Sequence, residues 1–136
     1  MRRLALGWLP VALWLAAIWW QSSRPGGPAP INQDAWFVVT SLGHVVEYAG
    51  LGFLLGRLIG AGAGTTMWLG AWGLCVMWGL SDEFHQSFVP GRDVEMWDIG
   101  VDTVSSAGGL LACALLRRVR LLPRLLTHSE TTERRW

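Results

Sequence analysis

The run Ser81-Asp82-Glu83-Phe84-His85-Gln86-Ser87-Phe88-Val89-Pro90-Gly91-Arg92-Asp93 gathers carboxylates, an imidazole, an amide and a guanidinium within a few turns of chain. It follows an apolar stretch with no charge between Thr65 and Leu80, and a second apolar stretch opens at Asp98 and carries Asp102. Ionisable groups at the edge of hydrocarbon are costly and are kept there for a task or a partner. His44, Glu47 and Tyr48 add a second set at i, i+3 and i+4, a spacing that puts them on one face of a helix. Three chemistries fit such a set. One is a salt-bridged knot, with Arg92 against carboxylates and His44 against Glu47 or Asp102, because buried charge needs pairing. Another is a divalent metal site, since His, Asp and Glu are ligands that Zn or Mn accept; no HExxH-type spacing supports it, and neither a metal nor another cofactor is expected. The last is an acid–base or substrate-binding pocket, because carboxyl groups in a low dielectric can exchange protons near neutrality. There Glu83, His85 and Asp98 are the catalytic candidates. The full pocket set is His44, Glu47, Tyr48, Asp82, Glu83, His85, Gln86, Arg92, Asp98 and Asp102.

The elements that must position these groups are apolar. Of the 136 residues, 51% are hydrophobic and 15% charged, against about 25% charged in soluble domains. Four apolar runs, about Leu4–Trp20, Phe37–Leu58, Thr65–Leu80 and Ile99–Leu116, each approach the ~20 residues of a spanning helix, the third being the shortest. The first and third lack the polar stripe of a soluble bundle helix. Arg2 and Arg3 precede the first run, but Ile18, Trp19 and Trp20 stand where a signal-peptide cleavage site needs small residues. The expected fold is an all-α transmembrane bundle of four spanning helices over residues 1–126, with a mobile polar tail over 127–136. Pro25, Gly26, Gly27, Pro28 and Pro30 mark the first loop as non-helical, and Gly60, Gly62 and Gly64 mark a short turn between the second and third runs.

Orientation follows from arginine, the only basic residue type in the chain besides histidine. Arg2, Arg3, Arg57, Arg117, Arg118, Arg120 and Arg124 fall on one side of a four-span chain, Arg24 and Arg92 on the other. The positive-inside rule therefore puts both termini in the cytoplasm of a bacterial inner membrane and the polar set in the outer leaflet. Trp19, Trp20, Trp36, Trp78 and Trp97 would form the outer aromatic belt; Trp14 and Trp72 fall inside their spans, most simply for packing. A net charge of +1 and the absence of a basic stripe apart from the C-terminal arginines argue against nucleic acid as a partner. The expected partners are the bilayer and a lipid-linked or cell-wall ligand. Gly52, Gly56 and Gly60, with Ser105 and Gly109, are small-residue faces that let helices approach closely, within the chain or in a homodimer. Cys75 and Cys113 lack a CxxC partner and read as buried, reduced thiols.

At these residues the chain resembles the VanZ-like family of bacterial membrane proteins. The family pattern is a His ahead of an aromatic and a Leu, then DE-x-HQ-x-F-x-PGR, then Asp-xxx-Asn/Asp-xx-Gly. Here it reads His44–Tyr48–Leu51, Asp82 to Arg92, and Asp98–Asp102. Trp20-Gln21-Ser22-Ser23-Arg24-Pro25 is also similar to the family's first-helix end, and the likeness runs from about Trp19 to Gly109. Two positions depart: Ser41, Leu42 and Gly43 stand where the family often has a basic residue, and Ser105 replaces the closing glycine. The resemblance implies an envelope role such as low-level resistance to teicoplanin-type glycopeptides. The residue reading adds two others, an acid–base enzyme on a lipid or peptidoglycan precursor and a structural accessory subunit.

Overall fold

The structure, a computed structural model, describes residues 2–26, 32–60, 62–92 and 94–133. Among them the chain is all-helical, without strands: α1 Arg2–Ser22, α2 Gln33–Leu58, α3 Thr65–Gln86 and α4 Met96–Glu133. Gly27 to Ile31 of the first loop, Asp93, and residues 134–136 of the expected tail lie outside the described residues. The segment 127–133 continues the backbone of α4.

Local signals account for most boundaries. Asn32 caps α2, its side chain accepting from the Ala35 N–H at 2.8 Å, which satisfies an orphan donor of the first turn. Asp34 in that turn and Arg57 in the last complement the helix dipole. The other end of α2 is capped from α4: the Arg117 guanidinium donates to the carbonyls of Arg57 (2.8 Å) and Ile59. Helix α3 runs through the polar motif to Gln86, because nothing before Pro90 breaks it. The Val89–Arg92 turn then closes with Arg92 N–H donating to the Val89 carbonyl at 3.2 Å. Pro90 followed by Gly91 at φ 73° is the type II pattern, which demands a residue free to take positive φ.

The chain runs up and down, so the ends of α1 and α3 meet the starts of α2 and α4 at one end of the bundle. Helices α2 and α4 are parallel and packed closest. Gly52 lies on the Ser106 backbone, Gly109 on the Ala49 carbonyl and Phe53 amide, and Gly56 on the Cys113 side chain. The small-residue faces thus serve contact within the chain at Gly52, Gly56 and Gly109. Ser106, buried completely, occupies the contact in place of Ser105, and Gly60 meets nothing. Val11, Ile18, Tyr48, Leu51, Leu55, Ala71, Cys75 and Leu110 form the core, and Cys75 and Cys113 are buried free thiols.

The tryptophans within the spans do more than pack. The Trp14 indole N–H donates to the Glu47 carbonyl at 2.7 Å, seated where Gly50 lacks a side chain. Trp72 donates to the Thr103 carbonyl at 3.0 Å. Each ties a helix to its neighbour through a donor that hydrocarbon would leave unsatisfied.

Two helical stretches, Gln33–Leu58 and Met96–Val119, are long and apolar enough to cross a membrane. Only 28% of either apolar window is buried inside the bundle. Leu13, Val46, Leu74, Met77, Val104 and Leu111 all point outward along the helices. A surface this continuously apolar belongs against lipid, since soluble monomers do not sustain such patches. These apolar helices and their outward surface mark the chain as a membrane protein.

Candidate functional site

The polar set gathers at the end of the bundle where α2 and α4 begin. Helix α2 turns His44 and Tyr48 inward, both buried, and leaves Glu47 half-buried on the edge. Helix α4 presents Asp98 and Asp102 one turn apart. The His44 ring sits between them, with Nδ1 3.0 Å from Asp102 Oδ1 and Nε2 3.6 Å from Asp98 Oδ2. An ionised carboxylate only accepts, so Nδ1 carries the proton toward Asp102 and the imidazole is held in one orientation. Of the partners that the residue types offered His44, Asp102 takes the bond and Glu47 does not.

Helix α3 adds Asp82, Glu83 and Gln86, all buried. Gln86 Nε2 donates to Asp82 Oδ2 at 3.2 Å and lies 3.5 Å from Glu83 Oε1. The other Glu83 oxygen accepts the Glu95 backbone N–H at 3.1 Å, which pins the chain entering α4. Gly79 leaves room for the Asp102 carboxylate and the Tyr48 ring, which would meet any side chain there. Tyr48 Oη, Asp82 Oδ1 and Asp102 Oδ2 are buried without a hydrogen-bond partner.

Two of the expected site residues depart from the cluster. His85 reaches neither α2 nor α4. It stacks on Trp19 of α1 at 4.0 Å between ring centres and lies 3.0 Å from Ser23 Oγ. At two residues past Glu83 it points about 200° away around the helix, so the two cannot share a face. Arg92 forms no ion pair with a carboxylate among the described residues. Its Nε and Nη2 donate to the Arg24 and Gln21 carbonyls, both at 3.3 Å, at the end of α1. Exposed helix-terminal carbonyls carry partial negative charge, and the type II turn aims the guanidinium at them. The Gly26 N–H bonds the Pro90 carbonyl at 3.0 Å beside it, with Gly26 and Gly91 backbone to backbone. We expect Arg92→Ala to destabilise the solubilised protein by about 1–2 kcal/mol through two lost charge-assisted bonds. Arg92→Lys should recover only part, because lysine has no planar fork; thermal melts of the three proteins check this.

A cavity of about 800 Å³ opens over the cluster. Gln21, Arg24, Gly26 and Arg92 line it from the α1 side; His44, Glu47, Gln86, Glu95 and Asp98 line it from below; Trp36, Phe37, Val39 and Thr40 of α2 form its apolar wall. The Arg24 guanidinium rests on the Trp20 ring at 3.9 Å. Tyr48, Asp82, Glu83 and Asp102 lie beneath this lining. Of the lining residues, Arg24 and Trp36 are placed on this side by sequence but not in the pocket, and Gln33 and Glu95 carry no signal there. Arg24, the other arginine on the sparsely charged side, carried the one usable signal.

No curated protein and no solved structure matches the chain. The family model described as VanZ/LLP1 matches residues 7–117, which span all four helices and every residue of the cluster. With a family match over most of its length, the chain belongs to the VanZ/LLP1 family.

Proposed function

We propose that this protein is a four-span inner-membrane protein, with both termini cytoplasmic, that binds the anionic head group of a lipid-linked cell-envelope component in an outward-facing cavity. The cavity lining carries the reading. Two guanidinium groups, Arg24 and Arg92, face a floor of Gln86 and His44 among the carboxyl groups of Glu47, Glu95 and Asp98, and one wall is the outward apolar surface of Trp36, Phe37 and Val39. A ligand with a charged head and a hydrocarbon tail meets all three at once, entering sideways from the bilayer. Altered response to a teicoplanin-type glycopeptide follows if the bound component is the one such drugs target. Acid–base catalysis by Glu83, His85 and Asp98 together is the less favoured reading, since His85 faces α1.

The test is native mass spectrometry of the protein in mild detergent. Wild type is expected to retain a phosphate-bearing lipid that Arg24→Ala/Arg92→Ala releases. Equal lipid retention by both proteins sinks the reading. For the orientation, a phosphatase fused after Trp136 is expected to be inactive and a cytoplasmic reporter there active; the reverse pattern overturns the topology.

A further inference from the structure

At the cavity floor three potential ligands converge from three helices, His44 and Asp98 in its lining and Glu83 beneath it. One ligand atom each from His44, Glu83 and Asp98 lies within 4.8 Å of the others. His44 Nε2 and Asp98 Oδ2 are 3.6 Å apart, too long for a hydrogen bond. It is close to the ~3.3 Å between two ligands of a tetrahedral ion bound at about 2.05 Å. His44 is 8% exposed, and its Nε2 has no hydrogen-bond partner among the described residues; it faces Asp98 while Nδ1 faces Asp102. We propose that His44, Glu83 and Asp98 hold a divalent transition-metal ion, with Asp102 orienting the imidazole.

Two further observations carry the assignment. Asp102 is 1% exposed and engages Nδ1 of the same ring, the carboxylate–histidine arrangement that fixes the tautomer of a metal-ligating imidazole and leaves Nε2 free to coordinate. Charge supplies the other. Glu83, Asp98 and Asp102 surround one imidazole, with Asp82 one residue before Glu83, and Arg92 bonds backbone carbonyls and none of these carboxylates. Asp82 Oδ1 and Asp102 Oδ2 are also buried without a partner, the latter on the Gly79 side of the core. Carboxylates gathered in a low dielectric require a cation or protons. One nitrogen and two carboxylate oxygens suit Zn²⁺ or Mn²⁺ better than Mg²⁺ or Ca²⁺, which prefer all-oxygen shells. His44 and Asp98 line the cavity, so an ion here has its open coordination positions toward the space where a ligand would sit. No linear motif announces the site, because its ligands are dispersed over three helices. The assignment goes beyond the lipid reading and stands without it.

The test uses full-length protein purified without a polyhistidine tag, stripped with EDTA and titrated with Zn²⁺ and with Mn²⁺. Wild type is expected to bind about one ion per chain, with a rise in melting temperature on loading. Asp98→Asn, a conservative change at a half-buried position, should weaken binding at least tenfold and keep the helical content of wild type. Asp102→Asn should weaken it about 10–100-fold, as for other residues that orient a metal-ligating histidine. Nitrogen hyperfine coupling in the spectrum of bound Mn²⁺ should vanish in His44→Gln. Asp34→Asn, at the exposed start of α2, should bind as wild type. If stripped wild type takes up neither ion, or if Asp98→Asn binds both as tightly as wild type, the site is held by protons and hydrogen bonds alone and the proposal fails.

Discussion

Replacing Asp102 by alanine should lower the stability of the solubilised protein by about 3–5 kcal/mol, the usual cost of removing one partner of a buried ionic pair. Asp102 is nearly inaccessible and holds His44 Nδ1 at 3.0 Å, while its second oxygen faces the Gly79 and Tyr48 side of the core. The change strands an imidazole N–H in a low-dielectric interior and leaves a space between α3 and α4. Asp102→Asn keeps the shape and one acceptor, so less than half of that loss is expected. Denaturant or thermal unfolding monitored by helicity checks both. An alanine variant within about 0.5 kcal/mol of wild type would place His44 and Asp102 in a solvated, non-structural contact.

The second large effect is expected at the α2–α4 contact. A methyl group at Gly52 runs into the Ser106 carbonyl, and one at Gly109 into the Ala49 carbonyl. Both obstacles are backbone, so the helices must separate to accommodate even alanine. Overpacking typically costs about 1–3 kcal/mol, and these sites should reach the top of that range or exceed it because no side chain can swing away. Gly52→Ala and Gly109→Ala together should cost less than the sum of the two, since either one already parts the same helix pair. Gly60→Ala, with nothing near its Cβ position, should be close to neutral. Melting temperatures of the four variants decide the matter; a neutral Gly52→Ala would mean that α2 and α4 sit farther apart than described.

What the amino-acid order determined by itself was local. Apolar runs without a polar stripe become helices, and the limits Leu58 and Thr65 fall where the glycines of the intervening turn allow. Pro90-Gly91 makes a turn because only those two residues satisfy its dihedrals cheaply. The alternation of helices with short turns was enough to bring His44, Glu83, Asp98 and Asp102 to one end of the bundle. Which way each side chain points was decided by tertiary packing. A helix turns about 100° per residue, so a small rotation about its axis exchanges partners. The seating of α2 on α4 at Gly52 and Gly109 sets His44 against Asp102 in place of Glu47, and brings Ser106 to the contact in place of Ser105. The same rotation of α3 that sinks Glu83 turns His85 onto Trp19. Arg92 found backbone carbonyls because α1 ends beside it, and Trp14 found the Glu47 carbonyl because Gly50 leaves it a seat. Such acceptors belong to every residue alike, so residue types in a sequence do not advertise them; they are selected only when two helices lie close enough for one side chain to reach the other's backbone.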